Sequence, residues 1–329
     1  MTRTDGRVID PVSVAAPDFA ADVRHYLRQR PRQLPSKYLY DDLGSVLFDA
    51  ITLLPWYPLT RAEMRLIRAS GRDILAALDA EPVTIVELGP GNGSKLAALL
   101  AARDAAGPTL PVHLVDVSES ALARAAQTVR ETGQADVAIH ASTYEAGLSS
   151  LAATIGEANR ALVVFFGSSI GNFDPAGCDA FLRMVRAALR PGDALLLGAD
   201  LVKPERELLL AYDDPLGVTA AFNRNLLVRL NRELGADIDP LAFEHRAVWN
   251  RRESRVEMHL ACARACHVVI PGAELELSLA AGETIWTESS YKYDAVTLEG
   301  ACRRAGFAPA SVWIDEADRF ALMLARVPH

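Results

Sequence analysis

Between residues 83 and 200 short apolar runs alternate with segments of helical period, and that alternation leaves few folds open to the chain. The runs are VTIVEL, VHLVDV, VAIHA, ALVVFF and DALLLGAD, with Val, Ile and Leu on consecutive positions. Consecutive apolar residues suit strands covered on both faces, and intervening segments such as SKLAALLAARDA and SESALARAAQTVR suit crossover helices. Five strands of a doubly wound α/β sheet are therefore expected before residue 200. Arg61–Leu78 places Met64, Ile67, Ile74, Leu75 and Leu78 at spacings compatible with one helical face, and should pack on that sheet.

The end of the chain returns to this pattern, with a helix in LEGACRRAG and two strands in FAPASVWIDEADRFALMLARV. From about Lys203 to Lys292 the alternation breaks. A long polar helical stretch, ELLLAYDDPLGVTAAFNRNLLVRLNREL, is followed by the strand-like runs VEMHLACARACHVVI and ELELSLAAGETIWTE. This reads as an insertion with its own small sheet. The first sixty residues, broken by Pro35, Gly44, Pro55 and Pro58, read as short helices and loops. The expected organisation is one domain over 62–201 plus 293–329, and a second, smaller α+β domain over 10–61 plus 202–292.

Composition excludes several classes of function. With 329 residues, 50% apolar and 23% charged, the chain is neither disordered nor collagen-like. A formal charge of -8 gives no general attraction to phosphate backbones or anionic lipid, so neither nucleic acid nor a membrane surface is an expected partner. Apolar stretches such as Ala161–Phe166 fall far short of the roughly 20 residues that span a bilayer, and the opening MTRTDGRVIDPV has no apolar signal core. A soluble, cytoplasmic chain with no obligate protein partner is expected. Cys178, Cys262, Cys266 and Cys302 are scattered through a chain able to bury its own core, so reduced thiols are the default. Cys262 and Cys266 have no second Cys or His pair at zinc spacing, and the seven histidines form no triad, so no metal is expected.

Glu87-Leu88-Gly89-Pro90-Gly91-Asn92-Gly93 follows the first strand and opens a helix, the place where glycines let the backbone approach a nucleotide. Asp116 closes the second strand, where a carboxylate can accept both hydroxyls of a ribose. The Gly-Lys-Ser/Thr of a P-loop is absent, and the third glycine of a dinucleotide fingerprint is missing. The E-L-G-x-G form with an Asp ending the next strand resembles the motifs of S-adenosylmethionine-dependent methyltransferases. The two C-terminal strands resemble that family's sheet ending.

Four further segments, YDDLGSVLFDAIT, FFGSSIGNFDP, AYDDPLGVTAAFNRNLL and TESSYKY, together resemble the histidine Nα-methyltransferase family of ergothioneine biosynthesis, in the family's order from Tyr38 to Tyr293. The resemblance implies S-adenosyl-L-methionine as cofactor and L-histidine as substrate, methylated on its α-amine up to the betaine hercynine. It implies cofactor contacts at Gly89, Lys95 and Asp116, and at Thr143 and Tyr144, which stand where the family has Asp-Phe. It implies histidine contacts at Tyr57, Asn172, Tyr212, Met258, Glu288, Ser289 and Ser290, with Tyr40 the candidate to orient the amine. The loop reads Trp56-Tyr57-Pro58 where the family has Glu-Tyr-Tyr. Asn172 and Tyr212 can donate to an α-carboxylate, Glu288 can accept from an imidazole N–H, and Ser290 can satisfy the other ring nitrogen.

Taken singly, the same residues have plainer readings. Tyr40 and Tyr57 suit a core, Asn172 a turn, and Glu288 a solvated strand face. Tyr212-Asp213-Asp214-Pro215 suits a helix stop followed by the next helix's cap. Two other functions remain open at this point: Nα-methylation of another aromatic amino acid or indole derivative, and a non-catalytic S-adenosylmethionine sensor.

Overall fold

The computed structural model describes residues 19–78, 83–104, 106–152 and 160–329. The opening MTRTDGRVIDPV and the first residues of the expected 10–61 segment lie outside the described residues. Along the chain run α1 (Phe19–Leu27), β1 (Arg32–Gln33), α2 (Asp42–Leu53), α3 (Leu59–Ala76), β2 (Val83–Leu88), α4 (Ser94–Leu100), β3 (Leu110–Asp116), α5 (Glu119–Arg130), β4 (Ala135–Ala141), α6 (Tyr144–Ala152), β5 (Arg160–Phe165), α7 (Pro175–Ala188) and β6 (Ala194–Asp200). Then come α8 (Glu205–Tyr212), α9 (Val218–Leu234), β7 (Phe243–Asn250), β8 (Arg255–Cys262), β9 (Cys266–Ile270), β10 (Leu275–Leu279), β11 (Thr284–Tyr291), α10 (Ala295–Arg304), β12 (Ala308–Asp315) and β13 (Phe320–Arg326). The chain divides into two compact units. The first holds residues up to Pro58, Asn172–Asp174 and Lys203–Tyr291; the second holds Leu59–Gly171, Pro175–Val202 and Lys292–His329.

The second unit is built on a seven-stranded sheet of order β12-β13-β6-β5-β2-β3-β4. Strands β4, β3, β2, β5 and β6 are parallel, whereas β13 runs antiparallel to β6 and β12 antiparallel to β13. The order reverses between β2 and β5, which opens a ligand crevice at the carboxyl ends of those strands. Every residue of β2 and β6 is buried, as the continuous apolar runs require. Helix α3 packs on β12 and β13, its Ile67 and Ile74 fully buried.

The first unit contains a four-stranded sheet of order β1-β11-β8-β7 and a two-stranded ribbon of β9 and β10. The polar helical stretch is two helices. Asp213 ends the first, its N–H bonded to the Leu209 carbonyl, and Asp214 starts the second: its Oδ1 accepts from the Thr219 N–H at 2.7 Å and its Oδ2 from the Val218 N–H at 3.1 Å. Strand β7 was not anticipated. Its Phe243 and His245 are buried while Glu244 and Arg246 are exposed, so charges interrupt the apolar signal at every second position. The run VEMHLACARACHVVI is likewise two strands belonging to different sheets, split by an exposed turn at 263–265.

Among the described residues no helix is long and apolar enough to cross a membrane, and no group of three or more His, Cys, Asp or Glu could hold a metal ion.

Candidate active site

In the second unit the polar groups gather where β2 and β5 diverge. Gly93 adopts φ +76°, and a Cβ there would lie 2.7 Å from the Ala125 carbonyl, so only glycine lets α4 start this close to α5. Gly89, at φ +67°, would place a Cβ 2.7 Å from the Tyr144 hydroxyl. The Tyr144 ring packs on Phe165 and Phe181, with centroids 5.7 and 6.2 Å away, and burial raises its phenol. Asp116 ends β3 and accepts from the Ser118 N–H at 2.9 Å; burial raises its carboxyl despite that bond. Thr143 Oγ1 accepts from the Ala146 N–H at 3.3 Å, so the hydroxyl that replaces the family's carboxylate caps α6.

Two carboxylates that sequence reasoning left unassigned surround Lys95. Glu63, fully buried on α3, lies 2.6 Å from Lys95 Nζ and accepts the Gly167 N–H with both oxygens, at 2.9 and 3.0 Å. Gly198 on β6 leaves it room: a Cβ there would fall 2.0 Å from Glu63 Oε1. Glu87, the acid that opens the glycine motif, is 1% exposed and its Oε2 has no hydrogen-bond partner. Burial pushes its carboxyl up to about 8, against the pull of Lys95. Lys95 thus faces one carboxylate committed to the backbone and another that is not.

In the first unit, β11 carries the acceptor candidates, and an irregularity decides where they point. The register slips between Trp286 and Glu288, so Trp286 pairs with His259 but Glu288 pairs with Met258 and Ser290 with Val256. The slip turns Glu288 and Ser290 onto the face opposite Trp286. Ser289 pairs with Glu257 on that other face, where its buried Oγ has no partner. On the Glu288 face, the Tyr212 hydroxyl donates to Ser290 Oγ at 2.7 Å. Tyr212 is held in turn by His245, whose Nε2 lies 2.8 Å from the Tyr212 carbonyl and whose Nδ1 lies 2.9 Å from the Asn223 amide nitrogen. That amide also donates to the His259 carbonyl at 3.2 Å, which fixes Asn223 as donor and His245 as the Nε2–H tautomer. Burial lowers the His245 imidazole, keeping it neutral.

A sequence profile for the family described as "Histidine-specific methyltransferase, SAM-dependent" matches residues 19–327. The chain belongs to this family. It is 42% identical over 312 residues, 94% of this chain and 95% of the other, to the histidine N-alpha-methyltransferase of Mycolicibacterium smegmatis. To the histidine N-alpha-methyltransferase of Mycobacterium tuberculosis it is 41% identical over 305 residues, 92% and 93% of the two chains. It also matches ergothioneine biosynthesis protein 1 of Schizosaccharomyces pombe, at 33% over 225 residues, 66% of this chain and 29% of that one. The enzyme is an S-adenosylmethionine-dependent methyltransferase with a Rossmann-like sheet.

The remaining acceptor candidates join a run of aromatic rings. In this methyltransferase Tyr40 stands edge-on to Phe48 at 5.5 Å and to Phe222 at 5.4 Å. Phe48 meets Tyr57 at 6.2 Å, and Tyr57 meets Tyr212 at 6.3 Å. Asn172 belongs to the same unit through the short segment Asn172–Asp174. Phe48 and Phe222 carried no signal in the sequence beyond their apolar character. His245 and Asn223 lie in β7 and α9, whose pairing no local pattern announces.

Proposed function

We propose that the enzyme transfers methyl groups from S-adenosylmethionine to the α-amino nitrogen of L-histidine, three in succession, giving hercynine for ergothioneine biosynthesis. The observation that carries this reading is the pairing of Glu288 and Ser290 on one sheet face, with Tyr212 donating to Ser290. A neutral imidazole presents one N–H and one bare nitrogen. Glu288 suits the first as acceptor, and Ser290, itself an acceptor from Tyr212, suits the second as donor. An apolar side chain of similar size offers neither the N–H nor the bare nitrogen that these two groups would meet, and sites built to hydrogen-bond a substrate reject such analogues by about 10⁴-fold or more. The aromatic run from Tyr40 to Tyr212 suits an α-nitrogen that becomes a fixed cation as it gains substituents.

The donor fits the groups of the second unit. Lys95 suits its carboxylate, the unpartnered Glu87 its ammonium, Asp116 its ribose hydroxyls and the Tyr144 ring its base. When bound, S-adenosylmethionine supplies an electrophilic methyl on sulfonium. The chain's own work is positioning and keeping the acceptor amine unprotonated. At a peptide N-terminus an α-amine titrates near 7.7–8.0; the ammonium of free histidine, beside its own carboxylate, holds its proton more tightly, and that proton leaves to water before attack, with Tyr40 orienting the freed lone pair. Ser289, on the reverse face, supports Glu288 and Ser290 through the strand rather than by touching the ring.

Incubation with methyl-labelled donor and single amino acids tests the reading. Histidine should be methylated far faster than tryptophan, tyrosine or leucine; equal rates would show that Glu288 and Ser290 do not read an imidazole, and donor binding without transfer would show a sensor.

A further inference from the structure

The corner between β8 and β9 holds a pair of thiols that the methyl transfer does not use. Cys262 ends β8 and Cys266 opens β9, and their sulfurs lie 3.2 Å apart. Both backbones are fixed by neighbouring strands. Cys262 donates its N–H to the Glu283 carbonyl at 2.9 Å and accepts from the Gly282 N–H at 2.7 Å, while Cys266 is in register with Leu279 on β10. The connecting residues 263–265 are exposed, and the Ala263 N–H is tied to the Ala242 carbonyl at 2.8 Å. Cys262 is buried and Cys266 only partly so, which makes Cys266 the sulfur a reagent in solution can reach.

A disulfide needs its sulfurs at about 2.0 Å, so closure asks for a shift of roughly 1 Å. The exposed turn and two side-chain rotations can absorb that. We infer that Cys262 and Cys266 form a thiol–disulfide exchange site that accepts a low-molecular-weight disulfide and closes into a reversible intrachain cystine. Cys266 sulfur, as thiolate, attacks one sulfur of the oxidant; the other leaves as thiolate and takes up the proton that Cys266 released. Cys262 then attacks the Cys266 sulfur of the mixed disulfide, and the second small thiol departs with the Cys262 proton. One small disulfide is reduced to two thiols while two protein thiols become one cystine. Burial and the neighbouring Cys262 push the Cys266 thiol up to about 11, so at neutral pH Cys266 is held as the protonated thiol and exchange quickens in mild alkali. The cross-link joins β8, which carries Met258, to the β9–β10 ribbon.

The chain carries its own diagnostic, because Arg264 lies between the two sulfurs. Trypsin cuts after it and separates peptide 256–264 from peptide 265–292 unless a disulfide joins them. The full-length reduced protein is incubated with glutathione disulfide in mild alkali, alkylated under denaturing conditions, and analysed intact and after digestion. The expected result is loss of two hydrogens, no lasting glutathione adduct, the joined peptide pair, and alkylation of only Cys178 and Cys302; dithiothreitol should reverse it. In Cys262→Ser the reaction should stop at a glutathione adduct on Cys266. Four alkylated cysteines after oxidation, a lasting adduct on the unsubstituted protein, or no adduct on Cys262→Ser would each overturn the inference.

Discussion

Replacing Glu87 by Gln should stabilise the unliganded enzyme while weakening its hold on the donor. Glu87 is 1% exposed, and burial raises its carboxyl from the usual 4.5 to about 8. Below pH 4.5 the group is protonated whether the chain is folded or not, and its stabilising contribution is fully present. Between about pH 4.5 and 8 the unfolded chain releases a proton that the folded chain keeps. Stability then falls as pH rises, by about 1.4 kcal/mol per unit. By pH 7 the loss is about 3 kcal/mol. Glutamine keeps the shape and does not titrate, but its amide meets no partner where Oε2 has none, at a cost of about 1 kcal/mol. Glu87→Gln should therefore exceed the parent by about 2 kcal/mol at pH 7 and show no advantage at pH 4.5. Thermal denaturation from pH 4.5 to 8 reads this as a midpoint difference that grows with pH, and calorimetric titration with S-adenosylmethionine should give weaker binding by about tenfold or more. A midpoint difference that stays constant across that range would refute the buried-carboxyl argument; unchanged donor affinity would refute the role given to Glu87.

Other residues give separate tests. His245→Ala removes the hold on the Tyr212 carbonyl and should raise the KM for histidine by about tenfold with the donor KM unchanged, measured by steady-state kinetics at saturating concentrations of the other substrate. Gly198→Ala puts a methyl 2.0 Å from Glu63 Oε1, so it should displace the carboxylate that holds Lys95 and Gly167, destabilise the fold by about 1–3 kcal/mol and raise the donor KM more than the histidine KM. Glu257 is a paired carboxylate of the ordinary kind. Burial alone would raise it, but hydrogen bonds from His259, Asn250 and Arg255 bring it down to about 2, so its contribution is present above pH 4.5 and lost as pH falls toward 2. Glu257→Gln should lower stability by about 1–3 kcal/mol at pH 7, with the deficit shrinking in acid denaturation below pH 4.

The parallel sheet was legible because burial on both faces writes itself as unbroken apolar runs, and the glycine turn because φ values of +67° and +76° admit little else. The insertion was legible only in outline. Strand β7 is half-solvated and hides behind Glu244 and Arg246, and the slip at Trp286–Glu288 that turns Glu288 toward Met258 leaves no mark on residue order. Lys95 was named from the motif, but its partner Glu63 lies 32 positions earlier on a helix whose pattern marks it only as a polar residue beside the apolar face. Tyr212 and Ser290 were named as separate contacts. That the hydroxyl of one donates to the other, and that a neutral histidine holds the backbone of the first, depends on pairings between β7, β8 and β11 that emerge only on folding.

The most direct test is the product itself. Histidine carrying a heavy isotope at its α-nitrogen, incubated with excess S-adenosylmethionine and the enzyme, should yield a species whose fragmentation places three methyl groups on the labelled nitrogen and none on the ring. Methyl groups on the imidazole, or a histidine left unmodified while another aromatic amino acid is consumed, would contradict the account.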